Sequence, residues 1–293
     1  MAEENQAVRL SENDYRSDVE IAWCPGCGNF GILKAVKQAL LDLQLPPQKL
    51  LFVSGIGQAG KFPHYIKCNM LNELHGRSLP AAAAAKIVNP ELTVIAEGGD
   101  GDAYGEGGNH FLHAVVRNVD FTYLVHDNQV YGLTKGQTSP TSDRGFVTKT
   151  TPGGAREPLN PLAVAIAANA SFAARGYAGD IPHLSMIITA AIQNKGFSLV
   201  EILQPCVSFN HVNTYQFFQQ RVYKLEDQAG YNPADRLKAF EKALEWGDRI
   251  PTGILYQVER PVFEDSLWQT DRVPLVKRKL DPQVAAHLMD ELL

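Results

Sequence analysis

The chain has 293 residues, of which 45% are hydrophobic and 20% are charged. This length fits about two domains or one large α/β unit, and the composition excludes a disordered or fibrous chain. The 27 lysines and arginines are outnumbered by 32 aspartates and glutamates, and the formal charge is -5. Such a balance lacks the basic surface that binds phosphate backbones, so we expect no nucleic-acid partner.

Short β-branched runs alternate along the chain with segments of helical period. The predicted strands are 50–54, 92–96, 121–126 and 199–203. The predicted helices are 32–43, 109–118, 161–170, 182–194, 214–228 and 233–246. This alternation predicts an α/β fold with a mostly parallel sheet and helices on both faces. Ligands of such sheets bind at the carboxyl ends of the strands.

The simplest domain organisation is one α/β domain over residues 23–260, preceded by an N-terminal arm over 1–22. The stretch 261–293 is rich in proline and charge. We expect it to be an arm that packs on a partner subunit, with a loose terminal tail as the alternative. The polar N-terminus lacks a signal-peptide pattern, and no stretch reaches the ~20 apolar residues of a membrane span. We therefore expect a cytoplasmic protein without membrane contact.

The four cysteines, Cys24, Cys27, Cys68 and Cys206, are too few to staple a secreted domain with disulfides. Cys24 and Cys27 form a CxxC pair. Such a pair can bind zinc, form a redox disulfide or ligate an iron-sulfur cluster, and the pair alone does not decide between them.

The strongest motif is Gly99-Asp100-Gly101-Asp102, which follows a predicted strand and precedes a predicted helix. Glycines let the backbone approach a phosphate, and a helix N-terminus presents N–H groups to it. Asn128 follows Asp100 by 28 residues and lies at the end of the next predicted strand. Because Mg²⁺ prefers oxygen ligands, we expect these two strand ends to hold one Mg²⁺ ion beside a diphosphate. A Gly-Asp-Gly sequence alone can also be a plain turn.

This spacing resembles the thiamine diphosphate motif, and the surrounding segments extend the resemblance over most of residues 23–206. Six segments in order are similar to the β subunit of the 2-oxoacid:ferredoxin oxidoreductases. They are WCPGCG at 23–28, SGIG at 54–57, Lys61, HGR at 75–77, GDGD at 99–102 and GLTKGQTSPT at 132–141.

The resemblance implies a thiamine diphosphate-binding fold and a coenzyme A-dependent oxidative decarboxylation of a 2-oxoacid to acyl-CoA and CO₂. It implies that electrons pass through a [4Fe-4S] cluster to ferredoxin, and that the reverse reaction fixes CO₂. It also implies an α subunit in an αβ or (αβ)2 assembly, which supplies the glutamate at pyrimidine N1' and part of the substrate and coenzyme A sites. By analogy at family level we favour 2-oxoglutarate as substrate and place pyruvate next.

The resemblance also implies roles for individual residues. Asp100, Asn128 and the main-chain carbonyl of Val130 would bind Mg²⁺. Lys61 would meet the substrate carboxylate, Leu133 would shape the substrate pocket and His75 would lie beside the thiazolium. The implied cofactor-binding residues are Ile56, Gly57, Gln58, Ala59, His75, Gly99, Asp100, Gly101, Asp102, Asn128, Val130, Gly132, Leu133 and Thr134. Alternatively, Lys61 is a solvated surface lysine and His75 a hydrogen-bonded core histidine.

The cysteines depart from the pattern of the family. The resemblance implies cluster ligands at Cys24, Cys27 and Cys206 and a fourth cysteine at position 58, where this chain has Gln58. Since a [4Fe-4S] cluster prefers four thiolates, we expect Cys68 to supply the fourth. The alternative is that Cys68 is a buried, inert thiol.

Two other functions remain open on the sequence. The first is a thiamine-dependent decarboxylase or carboligase without electron transfer. The second is a scaffold subunit whose four cysteines bind structural zinc.

Overall fold

The computed structural model describes residues 9–267, 273–279 and 281–291 of the chain. The strands of this part are β1 (Leu50–Ser54), β2 (Asn69–Asn72), β3 (Thr93–Gly99), β4 (Thr122–Asp127), β5 (Val130–Tyr131), β6 (Gln137–Thr138), β7 (Phe172–Tyr177), β8 (Ser198–Leu203), β9 (Val222–Lys224) and β10 (Ile250–Gln257). The α-helices are α1 (Asn29–Asp42), α2 (Ser78–Val88), α3 (Gly108–Arg117), α4 (Pro161–Ala167), α5 (Ile181–Gln193), α6 (Tyr215–Gln219), α7 (Arg236–Leu244) and α8 (Pro282–Asp290).

Eight of the strands form one sheet in the order β2-β1-β3-β4-β8-β7-β10-β9. Neighbouring strands in this sheet are parallel, apart from the antiparallel pair β7 and β10. The short strands β5 and β6 pair separately as an antiparallel ribbon. The predicted mostly parallel sheet is therefore confirmed.

Both faces of the sheet are covered by helices, and β1 shows how its side chains divide between them. Leu50 and Phe52 join an apolar cluster that includes buried residues of α1 and α5. Leu51 and Val53 point the other way, into a cluster with residues of α2, α3, α4 and α7. Because successive strand residues face opposite sides, burial of both faces requires a continuous apolar run. This is why β1 is recognisable from sequence.

The predicted helix over 214–228 is wrong. The chain there forms the short helix α6, then β9, and then a 3-10 helix at Leu225–Asp227. Val222 pairs with Ile250 at the start of β10, and Tyr223 pairs with Pro251. β-branched and aromatic residues favour strands, and pairing with a distant strand outweighs the local helical pattern. The predicted helix over 233–246 is shorter than expected and begins only at Arg236, after the capping residue Asp235.

Tyr15 ties the N-terminal segment to the domain. Its side chain is fully buried, and its hydroxyl lies 2.9 Å from the carbonyl oxygen of Leu40 and 2.7 Å from that of Leu45. The hydroxyl carries a single proton, so it donates to one carbonyl at a time. The segment around Tyr15 thus belongs to the apolar layer that contains α1.

We expect Tyr15→Phe to lower the free energy of unfolding by about 1–2 kcal/mol, because it leaves the Leu45 carbonyl without its hydroxyl donor, whereas the Leu40 carbonyl still accepts the Leu45 N–H. Tyr104→Phe is the matched control. Tyr104 is also buried, but its hydroxyl has no hydrogen-bond partner among the described residues, so its removal should be neutral or stabilising. Urea denaturation of the cofactor-free chain measures both. Equal losses in the two variants would contradict this account of Tyr15.

The C-terminal stretch partly folds back on the domain. The Phe263 N–H donates to the Asn118 carbonyl, and Lys277 forms an ion pair with Glu91. Helix α8 leaves large apolar side chains exposed, among them Val284, Leu288 and Met289. In the part of the chain that the structure describes, the helices are all too short or too polar to cross a membrane.

Candidate functional site

A cavity opens at the carboxyl ends of β1, β3 and β4. The chain leaves β1 through a turn with Gly57, leaves β3 through a π-helical turn at Gly101–Glu106 that leads into α3, and leaves β4 towards the β5-β6 ribbon. The cavity is lined by Ile56, Gly57, Gln58, Ala59, His75, Gly99, Asp100, Gly101, Asp102, Asn128, Val130, Tyr131, Gly132, Leu133 and Thr134. The structure thus brings together all the residues that the sequence predicts for cofactor binding, and adds Tyr131.

Two buried carboxylates share one hydroxyl at the floor of this site. The Thr141 hydroxyl oxygen lies 2.7 Å from Asp100 Oδ2 and 2.7 Å from Asp127 Oδ1. Burial raises the pKa of Asp100 to about 6, and burial together with the charges of Asp100 and Glu201 raises the pKa of Asp127. One hydroxyl proton cannot serve both carboxylates. No described lysine, arginine or histidine forms an ion pair with Asp100, so a bound cation fits this charge.

Asn128 stands opposite Asp100 at the end of the neighbouring strand. Its side-chain oxygen accepts the Val130 N–H at 3.0 Å, and its side-chain nitrogen donates to Gln204 Oε1 at 3.0 Å. These two bonds fix the orientation of the amide. A carboxylate and an amide oxygen on adjacent strand ends are the donor types that Mg²⁺ takes from proteins.

Glycines leave room for a ligand in the cavity. A Cβ atom at Gly57 or at Gly132 would meet no atom within 4 Å, although both residues line the cavity. Gly57 also has a φ of 113°, which disfavours any other residue. At Gly101, by contrast, a Cβ would lie 2.4 Å from the Tyr131 ring. At Gly57 and Gly132 the wall of the cavity is therefore bare backbone, which allows close approach of a phosphate group.

The Asp102 side chain joins two loops of the cavity. Its Oδ1 accepts the Ile56 N–H at 2.9 Å and the Gly76 N–H at 2.8 Å, and lies 2.6 Å from His75 Nδ1. Burial raises the pKa of Asp102, and these hydrogen bonds oppose that rise. The carboxylate therefore organises the loops, which leaves the main chain at this position to face a ligand.

Lys61, His75 and Leu133, which the resemblance places next to the substrate or the thiazolium, lie in different surroundings. His75 lines the cavity with its side chain 37% exposed, so it is not a core histidine. Leu133 lines the cavity and is exposed. Lys61 lies in the 3-10 helix Ala59–Tyr65, is partly exposed, and is not among the described residues that line the cavity.

Three of the cysteines surround a second, smaller pocket. Cys24, Cys27 and Cys206 line it together with Gln58. The Ser208 hydroxyl lies 3.1 Å from Cys24 Sγ. Burial raises the pKa of the Cys27 thiol to about 11, and the neighbouring Cys206 and Cys24 contribute to that rise.

The cysteine pocket shares a wall with the first cavity. Gln58, Asn128 and Gly132 line both. Gln204 connects the two, because its side-chain nitrogen donates to Cys27 Sγ at 3.3 Å while its oxygen accepts from Asn128. A group bound among the cysteines would therefore lie directly behind the Asn128 side of the cavity.

Cys68 does not reach this pocket, and the structure disagrees with the prediction that it supplies a fourth thiolate. It immediately precedes β2, whose first residue, Asn69, pairs with Leu51, so Cys68 is level with the amino end of β1. Its sulfur lies 3.6 Å from the Ile66 carbonyl and 3.9 Å from the Pro63 carbonyl. Burial raises the pKa of this thiol to about 12. Its position matches the alternative of a buried thiol, and Cys68 is not among the described residues that line the cysteine pocket.

A buried polar network lies beneath both sites. His126 Nε2 is 2.9 Å from Glu97 Oε1, and His126 Nδ1 is 2.8 Å from Asn29 Oδ1. Burial raises the pKa of Glu97 and lowers the pKa of His126 to about 3, so both groups favour their neutral forms. The network connects β3 and β4 to the first residue of α1, just after the CxxC pair.

Thr141 and Gln204 contact the site but are not among the residues predicted from the sequence to belong to it. Thr141 ends the segment GLTKGQTSPT, and its place in that family motif could have identified it as a site residue. Gln204 lies two residues before Cys206 and could have been found only from that proximity.

Two family models match the chain. The model described as "Thiamine pyrophosphate enzyme, C-terminal TPP binding domain" covers residues 55–202, which include the loops at all three strand ends that form the cavity. A second model, for the C terminal of the pyruvate ferredoxin oxidoreductase beta subunit, matches residues 206–272.

Curated relatives and a solved structure agree with these matches. The chain is 48% identical over 249 residues to the 2-oxoacid:ferredoxin oxidoreductase subunit beta of Saccharolobus solfataricus, covering 81% of this chain and 82% of the relative. It is 40% identical over 248 residues to the 2-oxoglutarate synthase subunit KorB of Archaeoglobus fulgidus, covering 84% and 85%. A solved 2-oxoglutarate:ferredoxin oxidoreductase from Magnetococcus marinus, with 2-oxoglutarate, coenzyme A and succinyl-CoA bound, superimposes with a TM-score of 0.88 at 34% identity, covering 97% of each chain. The chain therefore belongs to the β subunits of the 2-oxoacid:ferredoxin oxidoreductases, as the sequence motifs predict.

Proposed function

We propose that this β subunit, with its α subunit, carries out the coenzyme A-dependent oxidative decarboxylation of 2-oxoglutarate to succinyl-CoA and CO₂, with ferredoxin as electron acceptor. The substrate is supported by relatives named 2-oxoglutarate synthase and by a structural neighbour that binds 2-oxoglutarate and succinyl-CoA. Pyruvate is the next candidate. With a sufficiently strong reductant the same reaction runs backwards and fixes CO₂.

The observation that carries the proposal is the uncompensated Asp100 carboxylate at the edge of a glycine-walled cavity. Asp100, Asn128 and the Val130 carbonyl would hold Mg²⁺, and the main chain at Gly101, Asp102, Gly132 and Leu133 would meet the diphosphate of thiamine diphosphate. When bound, this cofactor supplies the carbanion that decarboxylates 2-oxoacids, while the protein supplies position and electrostatics.

The cavity residues would position the cofactor and the substrate. Ile56 is a bulky apolar residue at the rim of the cavity, where the thiamine would bend over it, and Asp102 holds its N–H in place. His75 is oriented by Asp102 and would lie beside the thiazolium. Leu133 would shape the substrate pocket. Lys61, which has no ion pair among the described residues, would turn its ammonium towards the substrate carboxylate.

The α subunit would complete the site. The described residues that line the cavity include no glutamate for the pyrimidine N1' of thiamine, so we assign that carboxylate to the partner, together with part of the substrate and coenzyme A sites. The exposed apolar side chains of α8 support the C-terminal arm as one docking surface. We propose an αβ or (αβ)2 assembly in the cytoplasm.

Assays of the separate and combined chains test the function. The α and β chains are reconstituted with thiamine diphosphate and Mg²⁺, and ferredoxin reduction is followed with coenzyme A and either 2-oxoglutarate or pyruvate. We expect activity only with both chains, and a kcat/KM at least about tenfold higher for 2-oxoglutarate than for pyruvate. A site that pairs the second carboxylate of 2-oxoglutarate leaves buried polar groups unpaired when pyruvate, which lacks that carboxylate, is bound. Full activity of the β chain alone would contradict the shared site, and a preference for pyruvate would contradict the substrate.

A further inference from the structure

Gln58 lines the same pocket as Cys24, Cys27 and Cys206. Its main-chain carbonyl accepts the Trp23 Nε1–H at 2.8 Å, which fixes residue 58 beside the CxxC pair. Its side-chain oxygen is buried and has no hydrogen-bond partner among the described residues. Because an unpaired buried acceptor is unfavourable by about 1–3 kcal/mol, this oxygen is available to bind an electrophilic partner beside the cysteines.

We propose that the Gln58 amide oxygen binds the fourth iron of a [4Fe-4S] cluster whose other three irons are held by thiolates of this pocket. The inference rests on the proposed function, because transfer of electrons to ferredoxin calls for the cluster that the family resemblance implies, and the assignment concerns the ligand of its fourth iron. Cys24, Cys27 and Cys206 hold three corners, and Cys68, at the other end of β1, holds none. An amide oxygen is a harder and weaker ligand for iron than a thiolate. The iron at Gln58 is therefore the exchangeable one.

Three thiols lie around one pocket, which Cys24, Cys27 and Cys206 line together. Cysteine thiolates are the usual ligands of iron-sulfur clusters. In the part of the chain that the structure describes, no group of three Cys, His, Asp or Glu side chains forms a site for a single metal ion.

The position of Gln58 also places the exchangeable corner. Gln58 lines both the cysteine pocket and the cavity proposed for thiamine diphosphate. The cysteine corner at Cys27 is instead connected to Asn128 through Gln204. The weakly held iron thus lies at the wall between the two sites. Its ligand, Gln58, is the only one of the four proposed cluster ligands that is not a thiolate.

Iron loss on mild oxidation tests this assignment. The αβ complex is prepared without oxygen and titrated with ferricyanide, while iron, acid-labile sulfide and the EPR spectrum are measured. Oxidation of [4Fe-4S]²⁺ by one electron, which ferricyanide accepts, releases one Fe²⁺ and leaves [3Fe-4S]⁺. We expect the wild type to lose one iron in four with its sulfide retained, to show the EPR signal of a three-iron cluster, and to regain the iron from Fe²⁺ and dithionite.

Three variants make the test specific. Gln58→Cys provides a fourth thiolate and should lose iron at least about tenfold more slowly. Gln58→Leu removes the oxygen and should be isolated with three irons. Cys68→Ala is the control and should match the wild type in iron, sulfide and EPR signal.

Three results would overturn the proposal. One is a wild type that keeps four irons as firmly as Gln58→Cys. Another is a Cys68→Ala variant that loses an iron where Gln58→Leu does not. The third is a chain that contains no iron or sulfide but still binds thiamine diphosphate and Mg²⁺. That result would contradict the cluster but not the proposed thiamine diphosphate site. An intact cluster in a chain that binds no thiamine diphosphate would contradict the proposed function instead.

Discussion

Asp100→Asn is expected to weaken Mg²⁺-dependent binding of thiamine diphosphate at least about 100-fold and to abolish turnover. Loss of a residue that only supports a metal ligand weakens affinity about 10–100-fold, and Asp100 is proposed as a ligand itself. An amide in its place is neutral and can donate to the Thr141 hydroxyl oxygen, which leaves the hydroxyl proton free for Asp127. The negative charge that attracts the metal ion is therefore lost while the fold is retained.

The same substitution should not destabilise the cofactor-free chain. Asp100 and Asp127 are buried on either side of the Thr141 hydroxyl, and burial raises the pKa of both carboxyl groups. Since a raised pKa means that the charged form is disfavoured in the fold, the neutral amide should leave the melting temperature unchanged or raise it by a few degrees, about 2–6 °C.

Thermal unfolding with and without cofactor separates these two effects. At ligand concentrations about 100 times Kd, the wild type should gain about 2.7 kcal/mol from thiamine diphosphate and Mg²⁺, whereas Asp100→Asn should gain less than about 0.5 kcal/mol. Asp42→Asn is the matched control, since it removes the same charge from an exposed position at the end of α1. A full cofactor shift in Asp100→Asn would show that another group binds the metal.

The parts of the fold that sequence predicts well are those with a strong local signal. β1 and β4 are buried on both faces, and each contains a run of consecutive apolar or aromatic residues, LLFV in β1 and YLV in β4. β7 was missed because its six residues, FAARGY, include small residues and Arg175. That arginine is tolerated in a buried strand because its Nε lies 3.2 Å from the equally buried Glu201 carboxylate on β8. The local sequence around Arg175 does not show that its partner, Glu201, lies on a strand that is distant in sequence.

The candidate site, like the fold, could be predicted only where the sequence carries a local signal. The cavity residues belong to short motifs at strand ends, and parallel strands bring their carboxyl ends to one edge, so the set was predictable. The position of Cys68 could not be predicted in this way, because only ten residues of sequence separate it from Gln58, while the β1-β2 register carries it about 13 Å along the strand to the other end. Thr141 and Gln204 reach the site through contacts with residues that are distant in sequence.

Asp102→Ala is expected to be the most destabilising substitution at the site. Asp102 is buried, and its Oδ1 is the acceptor for the Ile56 and Gly76 N–H groups. Its Oδ2 packs against Gly55, where a Cβ would lie only 2.0 Å away. Alanine leaves one buried donor, the Gly76 N–H, and one partly buried donor, the Ile56 N–H, without their acceptor, at up to about 1–3 kcal/mol each. The free energy of unfolding should therefore fall by about 2–4 kcal/mol. The turn that lines the cavity should loosen, and thiamine diphosphate affinity should fall with it.

Two conservative variants distinguish loop organisation from charge. Asp102→Asn keeps an oxygen that can accept both N–H groups, so its loss of unfolding free energy should be about 1 kcal/mol, from the weaker neutral acceptor. His75→Gln leaves both main-chain bonds intact and should also lose little stability. Urea denaturation of the cofactor-free chains measures all three. If Asp102→Asn proves as unstable as Asp102→Ala, the negative charge beside His75, and not the pairing of the two N–H groups, holds these loops together.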